Sequence, residues 1–209
     1  MKRNYLILLL ALTSFSSLFN KTYAESLNTS EAAPEANNSQ DRNIFNIKPL
    51  NDLTITGFKQ RFRTNGVTYN SYSVWYRSGS VLDLNASSTG WTLLGSNSSA
   101  ITSDNSGDYT SIDFGSSLNL ELTGGEIYGL MVGGDTDYNV AYTDGTAFGD
   151  TAASDENLII YEGYGATNTT STYVPRIWNG EIIYSLTSVS ESSVQPYAAM
   201  QHVGLDAIN

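Results

Sequence analysis

The feature that most constrains this chain is the spacing of its apolar segments. Between residues 43 and 187, short runs rich in Val, Ile, Thr, Tyr and Phe recur about every ten residues, separated by clusters of Gly, Asn, Asp and Ser. No window carries a sustained helical i, i+3, i+4, i+7 apolar pattern, so we expect little helix. Parallel strands need long crossover connections, and the short turns leave no room for them. The strands should therefore be antiparallel.

We predict an all-β fold, a two-sheet antiparallel β-sandwich of roughly 10–11 short strands, with immunoglobulin-like or jelly-roll wiring. The predicted strands cover residues 53–62, 69–77, 91–95, 98–101, 109–114, 118–122, 126–132, 138–143, 157–161, 174–178 and 181–186. Between the last two, Asn179-Gly180 has the sequence of a tight hairpin turn.

Alternation within residues 72–77 predicts which side chains face the core. Tyr72, Val74 and Tyr76 share one side of the strand, and we expect them to be buried. Trp75 and Arg77 lie on the other side, which we expect to be wet. In residues 127–132 both sides are apolar or small, which is typical of a central strand covered on both faces.

The ends of the chain differ from its middle. Residues 1–24 read as a secretory signal peptide: Lys2 and Arg3 precede the apolar run 6–12, and Thr22-Tyr23-Ala24 is a small-x-small cleavage site. That run is far shorter than the roughly 20 residues of a membrane span. We expect cleavage after Ala24, secretion and no transmembrane segment. We predict a flexible leader over 25–42, the sandwich domain over 43–187, and a tail over 188–209 that is loose or one short helix.

Composition excludes several classes of function. Cysteine is absent and His202, in the tail, is the only histidine, which removes disulfide frameworks, Cys–His nucleophiles and nearly all zinc sites. The formal net charge of −11 disfavours nucleic acid as a partner, because the phosphate backbone would be repelled. We assign no catalytic residue.

Six sequence blocks, taken in order, resemble a family of exported bacterial β-sandwich modules of uncharacterised function, some of which carry PEP-CTERM-type sorting tails. The blocks are 52–58 (DLTITGF), 74–80 (VWYRSGS), 90–95 (GWTLLG), 125–130 (GEIYGL), 141–146 (AYTDGT) and 175–184 (PRIWNGEIIY). They cover nearly all of the globular part. The resemblance implies a single sandwich and export. It implies no catalytic residues. Because no apolar span or basic cluster stands in residues 188–209, we expect no sorting tail.

Aromatic and polar side chains on strands suggest a carbohydrate-binding surface. Sugar faces stack on aromatic rings, and flanking Asn, Asp or Arg side chains bond their hydroxyls. The candidate ligand-binding residues are Trp75, Arg77, Trp91, Tyr142, Asp144, Arg176 and Trp178. The alternative for the tryptophans is core packing, with the arginines as cation–π support.

Acidic turns suggest a Ca²⁺ site. Asp104 and Asp108 supply oxygen ligands around 104–108, and Asp135 and Asp137 supply others. The 104–108 run is not an EF-hand loop, and metal-free acidic turns remain the alternative. No cofactor is required by the pattern.

We therefore expect a secreted, non-catalytic adhesion, matrix or glycan-binding module whose partner is an extracellular polysaccharide or matrix component. Two alternatives stay open. One is a carboxylate-dependent polysaccharide hydrolase or lyase, which needs two facing acids. The other is a structural extracellular subunit that self-associates through sheet edges, because Lys48 and Lys59 are the only lysines after residue 24 and lysine is a usual edge protector.

Overall fold

The computed structural model describes residues 24–29, 38–84, 87–104, 108–134, 140–167 and 172–187. The predicted signal peptide, except for its last residue Ala24, and the tail after residue 187 lie outside these ranges. Within them the chain forms strands and no helix, and so no helix there could cross a membrane.

The described residues contain seventeen strands. They are β1 Ala24–Asn28, β2 Asn38–Gln40, β3 Arg42–Pro49, β4 Leu53–Gln60, β5 Thr68–Tyr69, β6 Ser73–Ser78, β7 Thr92–Ser96, β8 Ile101–Thr102, β9 Thr110–Ser111, β10 Leu120–Leu122, β11 Tyr128–Gly133, β12 Val140–Asp144, β13 Thr151–Ser154, β14 Leu158–Tyr161, β15 Gly163–Ala166, β16 Thr172–Trp178 and β17 Gly180–Leu186.

These strands form two main antiparallel sheets, which confirms the all-β, sandwich-like fold. The small sheet has the order β1-β17-β4-β10, with β9 also on β4. The large sheet has the order β2-β12-β16-β15-β3-β11-β6-β7, with β14 on β3 and β13 on β14. The short pair β5-β8 stands apart.

The main core lies between the two sheets. Phe45, Leu130 and Val74 from the large sheet share one buried cluster with Ile55 and Phe58 from the small sheet. Tyr72 and Val74 are buried, and Tyr76 is only partly buried but packs against the same core, so the three share the predicted side of the strand.

Gln60 joins the sheets through its side-chain amide, which has no exposed surface. Its Oε1 accepts hydrogen bonds from Trp178 Nε1 at 2.7 Å and from the Tyr72 hydroxyl at 2.8 Å. Its Nε2 donates to the backbone carbonyls of Arg61 at 2.7 Å and Asn179 at 3.0 Å. The full donor and acceptor capacity of the amide is thus used. Burial raises the pKa of Tyr72 well above its usual value, which keeps its hydroxyl protonated and able to donate.

The hairpin predicted at Asn179-Gly180 is wrong. β16 pairs with strands of the large sheet and β17 with strands of the small sheet, so the chain crosses between sheets at this point. Asn179 is fully buried, and its backbone carbonyl accepts from Arg61 N as well as from Gln60. Gly180 is needed because the Trp178 ring fills the place of a Cβ.

The flexible leader predicted over 25–42 is also wrong for its described parts. β1 pairs with β17 over five residues, and β2 pairs with β12. Leu27 is buried, and the Thr29 hydroxyl donates to the Trp178 carbonyl at 2.6 Å. An edge strand needs only backbone partners and one or two buried side chains, so the absence of an apolar pattern was a poor guide here.

Replacing Gln60 should show how far the sheets depend on it. Gln60→Leu leaves the buried Trp178 indole N–H and Tyr72 hydroxyl without their acceptor, and the Arg61 and Asn179 carbonyls keep only a backbone donor. We therefore expect the free energy of unfolding to fall by about 3–5 kcal/mol. Equilibrium unfolding in urea measures this. The control is Gln40→Leu, the same change at a half-buried position of β2, which should cost about 1 kcal/mol or less. Equal losses in the two variants would contradict the role given to Gln60.

Candidate functional site

A second apolar cluster lies on the side of the large sheet that faces away from the small sheet. Along β3 and β11, Ile44 and Met131 alternate with the core residues Phe45 and Leu130, and so point to the opposite side. We call this cluster the outer patch. Its members are buried Ile44, Val81, Met131, Tyr164 and Ala166, with partly buried Trp75, Leu84, Trp91 and Phe148 packed against them.

One row of the outer patch crosses five neighbouring strands. Register pairs Tyr164 with Ile44, Ile44 with Met131, Met131 with Trp75, and Trp75 with Leu93. Neighbouring strands are about 4.8 Å apart, so the row is roughly 19 Å long. It ends at Leu93, which is 55% exposed. The patch thus changes from closed at Tyr164 to open at β7.

Arg42 packs against Trp75. It lies two residues before Ile44 on β3, so its side chain is on the same face of the large sheet. Its guanidinium carbon lies 4.7 Å from the centre of the Trp75 ring, within the range of a cation–π contact. The guanidinium is held in place, since Nε donates to the Gly134 carbonyl at 2.9 Å. One side of the Trp75 indole is therefore fixed by a buried, anchored cation.

Arg77 plays a similar part for Trp91. Its guanidinium carbon lies 5.9 Å from the ring centre, and its Nη1 donates to the Thr89 carbonyl at 3.0 Å. Gly90, between them in sequence, has φ of +91°, a conformation that favours glycine. Arg77 thus holds the chain before β7 in the shape that brings Trp91 onto the outer patch.

Residues 79–84 cover the middle of the patch. The Asn46 side chain accepts from Val81 N at 2.9 Å and donates to the Ser80 hydroxyl at 3.0 Å. Val81 then packs directly over Gly129, where any Cβ would overlap it. This cover explains why both faces of the strand at 127–132 are apolar or small, as predicted.

The predicted ligand-binding residues separate into two groups and one core residue. Trp75, Arg77 and Trp91 come together on the outer patch, with both indoles partly exposed. Trp178 is 1% exposed and stacks on Phe45 with ring centres 4.8 Å apart. Its assignment as a ligand-binding residue is wrong, because a ring enclosed on both faces cannot stack on a sugar.

The second group lies on β12 and β16. The Arg176 Nη1 lies 3.2 Å from the Asp144 carboxylate, and its guanidinium carbon lies 5.1 Å from the Tyr142 ring. Tyr142 is 1% exposed, so its ring, like that of Trp178, is closed to a ligand. The Asp144 carboxylate is largely exposed. This group has the geometry of an ion pair that covers an aromatic core residue.

The predicted calcium ligands are only partly within the described ranges. Asp135 and Asp137 lie outside them. Asp104 and Asp108 lie inside the described ranges, but residues 105–107 between them do not. Among the described residues, no three His, Cys, Asp or Glu side chains are grouped closely enough to hold a metal ion. The Ca²⁺ site remains a prediction.

A polar cleft on the small sheet has no counterpart in the sequence prediction. It has a volume of about 340 Å³ and lies between β4 and the loop that follows β9. Asp113, Ser116 and Ser117 line it beside Gly57. Hydrogen bonds from the Gly115 amide and the Ser98 hydroxyl lower the pKa of Asp113. These bonds orient the carboxylate locally.

Sequence reasoning missed Met131 as a member of the outer patch, and it missed Arg42 and Leu93 as neighbours of Trp75. The signal that could have found Arg42 is the alternation of residues 42–47, in which Arg42, Ile44 and Asn46 share one face.

Comparison with known proteins adds no family. The chain matches no protein-family model and no curated protein. The resemblance to exported sandwich modules therefore rests on the six sequence blocks alone.

Removing the Arg77 side chain should loosen Trp91. In Arg77→Ala we expect stronger quenching of tryptophan fluorescence by acrylamide, together with a loss of about 1 kcal/mol in stability, because the ring loses its cation and the Thr89 carbonyl loses its donor. Arg176→Ala is the matched control, since that guanidinium lies beside a tyrosine. Equal quenching in the two variants would show that Arg77 does not position Trp91.

Proposed function

We propose that this chain is an exported, non-catalytic module that binds an extracellular polysaccharide through the outer patch. The observation that carries the proposal is the pairing of two partly exposed indoles, Trp75 and Trp91, on one sheet face, each beside an arginine. Aromatic rings held in fixed orientation offer apolar faces to the C–H side of a pyranose, and they lose little entropy on binding.

The shape of the face favours a polymer over a small molecule. Small-molecule sites are concave and enclose most of their ligand. The exposed part of the outer patch is instead an open strip on and beside β6 and β7, where Trp75, Trp91 and Leu93 offer contact to one or two sugar units of an extended chain. Tyr164 lies at the covered end of the row across the sheet and Leu93 at the open end, so contact would occur around Trp75, Trp91 and Leu93.

Support from the arginines is structural as well as electrostatic. Arg42 and Arg77 place two positive charges on one face of a chain with a net charge of −11. Polysaccharides with uronate groups would meet a cation beside each of the two indoles. Neutral glycans would rely on the indoles alone.

Depletion of the purified protein by a panel of insoluble polysaccharides tests the proposal. Cellulose, chitin and xylan serve as largely neutral probes, and calcium-crosslinked alginate serves as an acidic one. Every probe is tested with calcium, and all but alginate are also tested with a chelator. We expect retention on at least one of them. Trp91→Ala should weaken it about tenfold, equivalent to about 1.4 kcal/mol. Trp75→Phe should weaken it less, because it retains a smaller ring.

The control is Trp178→Phe, which changes the enclosed tryptophan. It should lower stability and leave retention unchanged as long as circular dichroism shows a folded protein. Retention on none of the probes would contradict the proposal. So would a folded Trp178→Phe that loses as much retention as Trp91→Ala.

A further inference from the structure

Strand β7 forms an open edge of the large sheet. Within the described residues it pairs with β6 alone, so its other side has no strand beside it. The end of the strand is held firmly: Asn97 N donates to the Tyr72 carbonyl at 2.9 Å, and the Asn97 side chain accepts from Tyr72 N at 2.6 Å. A fixed edge of this kind is ready to take another strand at low entropic cost.

Strand β7 and the segments on either side of it contain no charged residue. No charged residue occurs in the sequence between Asp83 and Asp104, although the whole chain has a net charge of −11. Edge strands β1 and β10 of the small sheet each contain a glutamate, Glu25 and Glu121. Proteins commonly protect sheet edges with charged side chains, and β7 lacks that protection.

The two halves of β7 differ in exposure. A register shift between Val74 and Trp75 leaves a bulge in the strand. Beyond the bulge, Gly95 packs so closely against Phe114 and Leu118 that a Cβ would overlap Leu118. Before it, Thr92 and Leu93 are exposed. The open part of the edge is therefore its first half, next to Trp91.

We propose that β7 pairs antiparallel with β7 of a second copy of this chain, forming a symmetric dimer with one continuous large sheet. A strand paired antiparallel with itself gives a self-complementary interface under twofold symmetry. Two strongly acidic copies repel each other, so they should approach where the sequence segment contains no acidic residue. In this pairing the Leu93 side chains of the two copies lie side by side on the outer face of the sheet, and each covers part of the other's exposed apolar surface.

Dimerisation would also extend the outer patch. The two patches then lie on one sheet face, and a polysaccharide chain can contact both, which raises retention through avidity. This consequence rests on the proposed function. The dimer itself does not.

Sedimentation velocity over a range of protein concentrations tests the dimer without any glycan. We expect the wild-type protein to shift from monomer to dimer as its concentration rises. Leu93→Lys places a charge on the edge and should weaken self-association at least about tenfold. The matched control is Leu82→Lys, because Leu82 is also 55% exposed but lies in the loop after β6. It should dimerise like the wild type.

Hydrogen exchange of the wild-type protein provides a second measurement that needs no variant. Backbone amides of the first half of β7 should exchange more slowly at high than at low protein concentration. A wild-type protein that stays monomeric throughout, or Leu93→Lys that dimerises like Leu82→Lys, would overturn the proposal. A wild-type protein that stays monomeric and whose β7 amides exchange rapidly would indicate that this edge pairs with a strand of a different protein. Retention on polysaccharide is measured separately, so either proposal can fail without the other.

Discussion

The buried side-chain amide of Gln60 joins the two sheets, and the rest of the structure depends on where it holds them. It lies on β4 of the small sheet, yet it bonds the Trp178 indole and the Tyr72 hydroxyl, which belong to the large-sheet side. It also bonds the Asn179 carbonyl at the point where the chain crosses between sheets. A buried polar group without a partner is costly. The arrangement of the two sheets that gives all of these groups a partner is therefore favoured over arrangements in which one sheet is shifted against the other.

The two faces of the large sheet give the aromatic residues two environments. Trp178 and Tyr142 are enclosed, whereas Trp75 and Trp91 stay at the surface of the outer patch. Because the strands under the patch belong to a sheet whose other face is the main core, the exposed indoles stand on a rigid support. Rigid support is what a recognition surface requires, since each loosened side chain would add an ordering cost on binding.

The fold class follows from the sequence because alternating apolar residues specify strands wherever one face is buried. Three features escaped that reasoning for physical reasons. β3 contains Asn46, whose side chain bonds the backbone of Val81 in place of an apolar contact. β15 contains Gly165, placed where a side chain would crowd Tyr142. The turn-forming dipeptide at Asn179 serves a crossing between sheets, which local sequence does not distinguish from a hairpin. The shared facing of Trp75 and Arg77 was predictable from alternation. Burial of Trp178 was not, because it depends on which sheet its strand joins.

The three tryptophans of the chain allow one direct measurement of the central claim, that the outer patch is the binding surface. Each indole Nε1–H gives its own signal in a proton–nitrogen correlation spectrum. The spectrum is followed during titration with a soluble oligosaccharide cut from a polysaccharide that retains the protein. We expect the signals of Trp75 and Trp91 to shift and saturate together, and that of Trp178 to stay in place because its Nε1–H remains bonded to Gln60. A saturating titration in which Trp75 and Trp91 do not move, or in which Trp178 alone moves, would contradict the account.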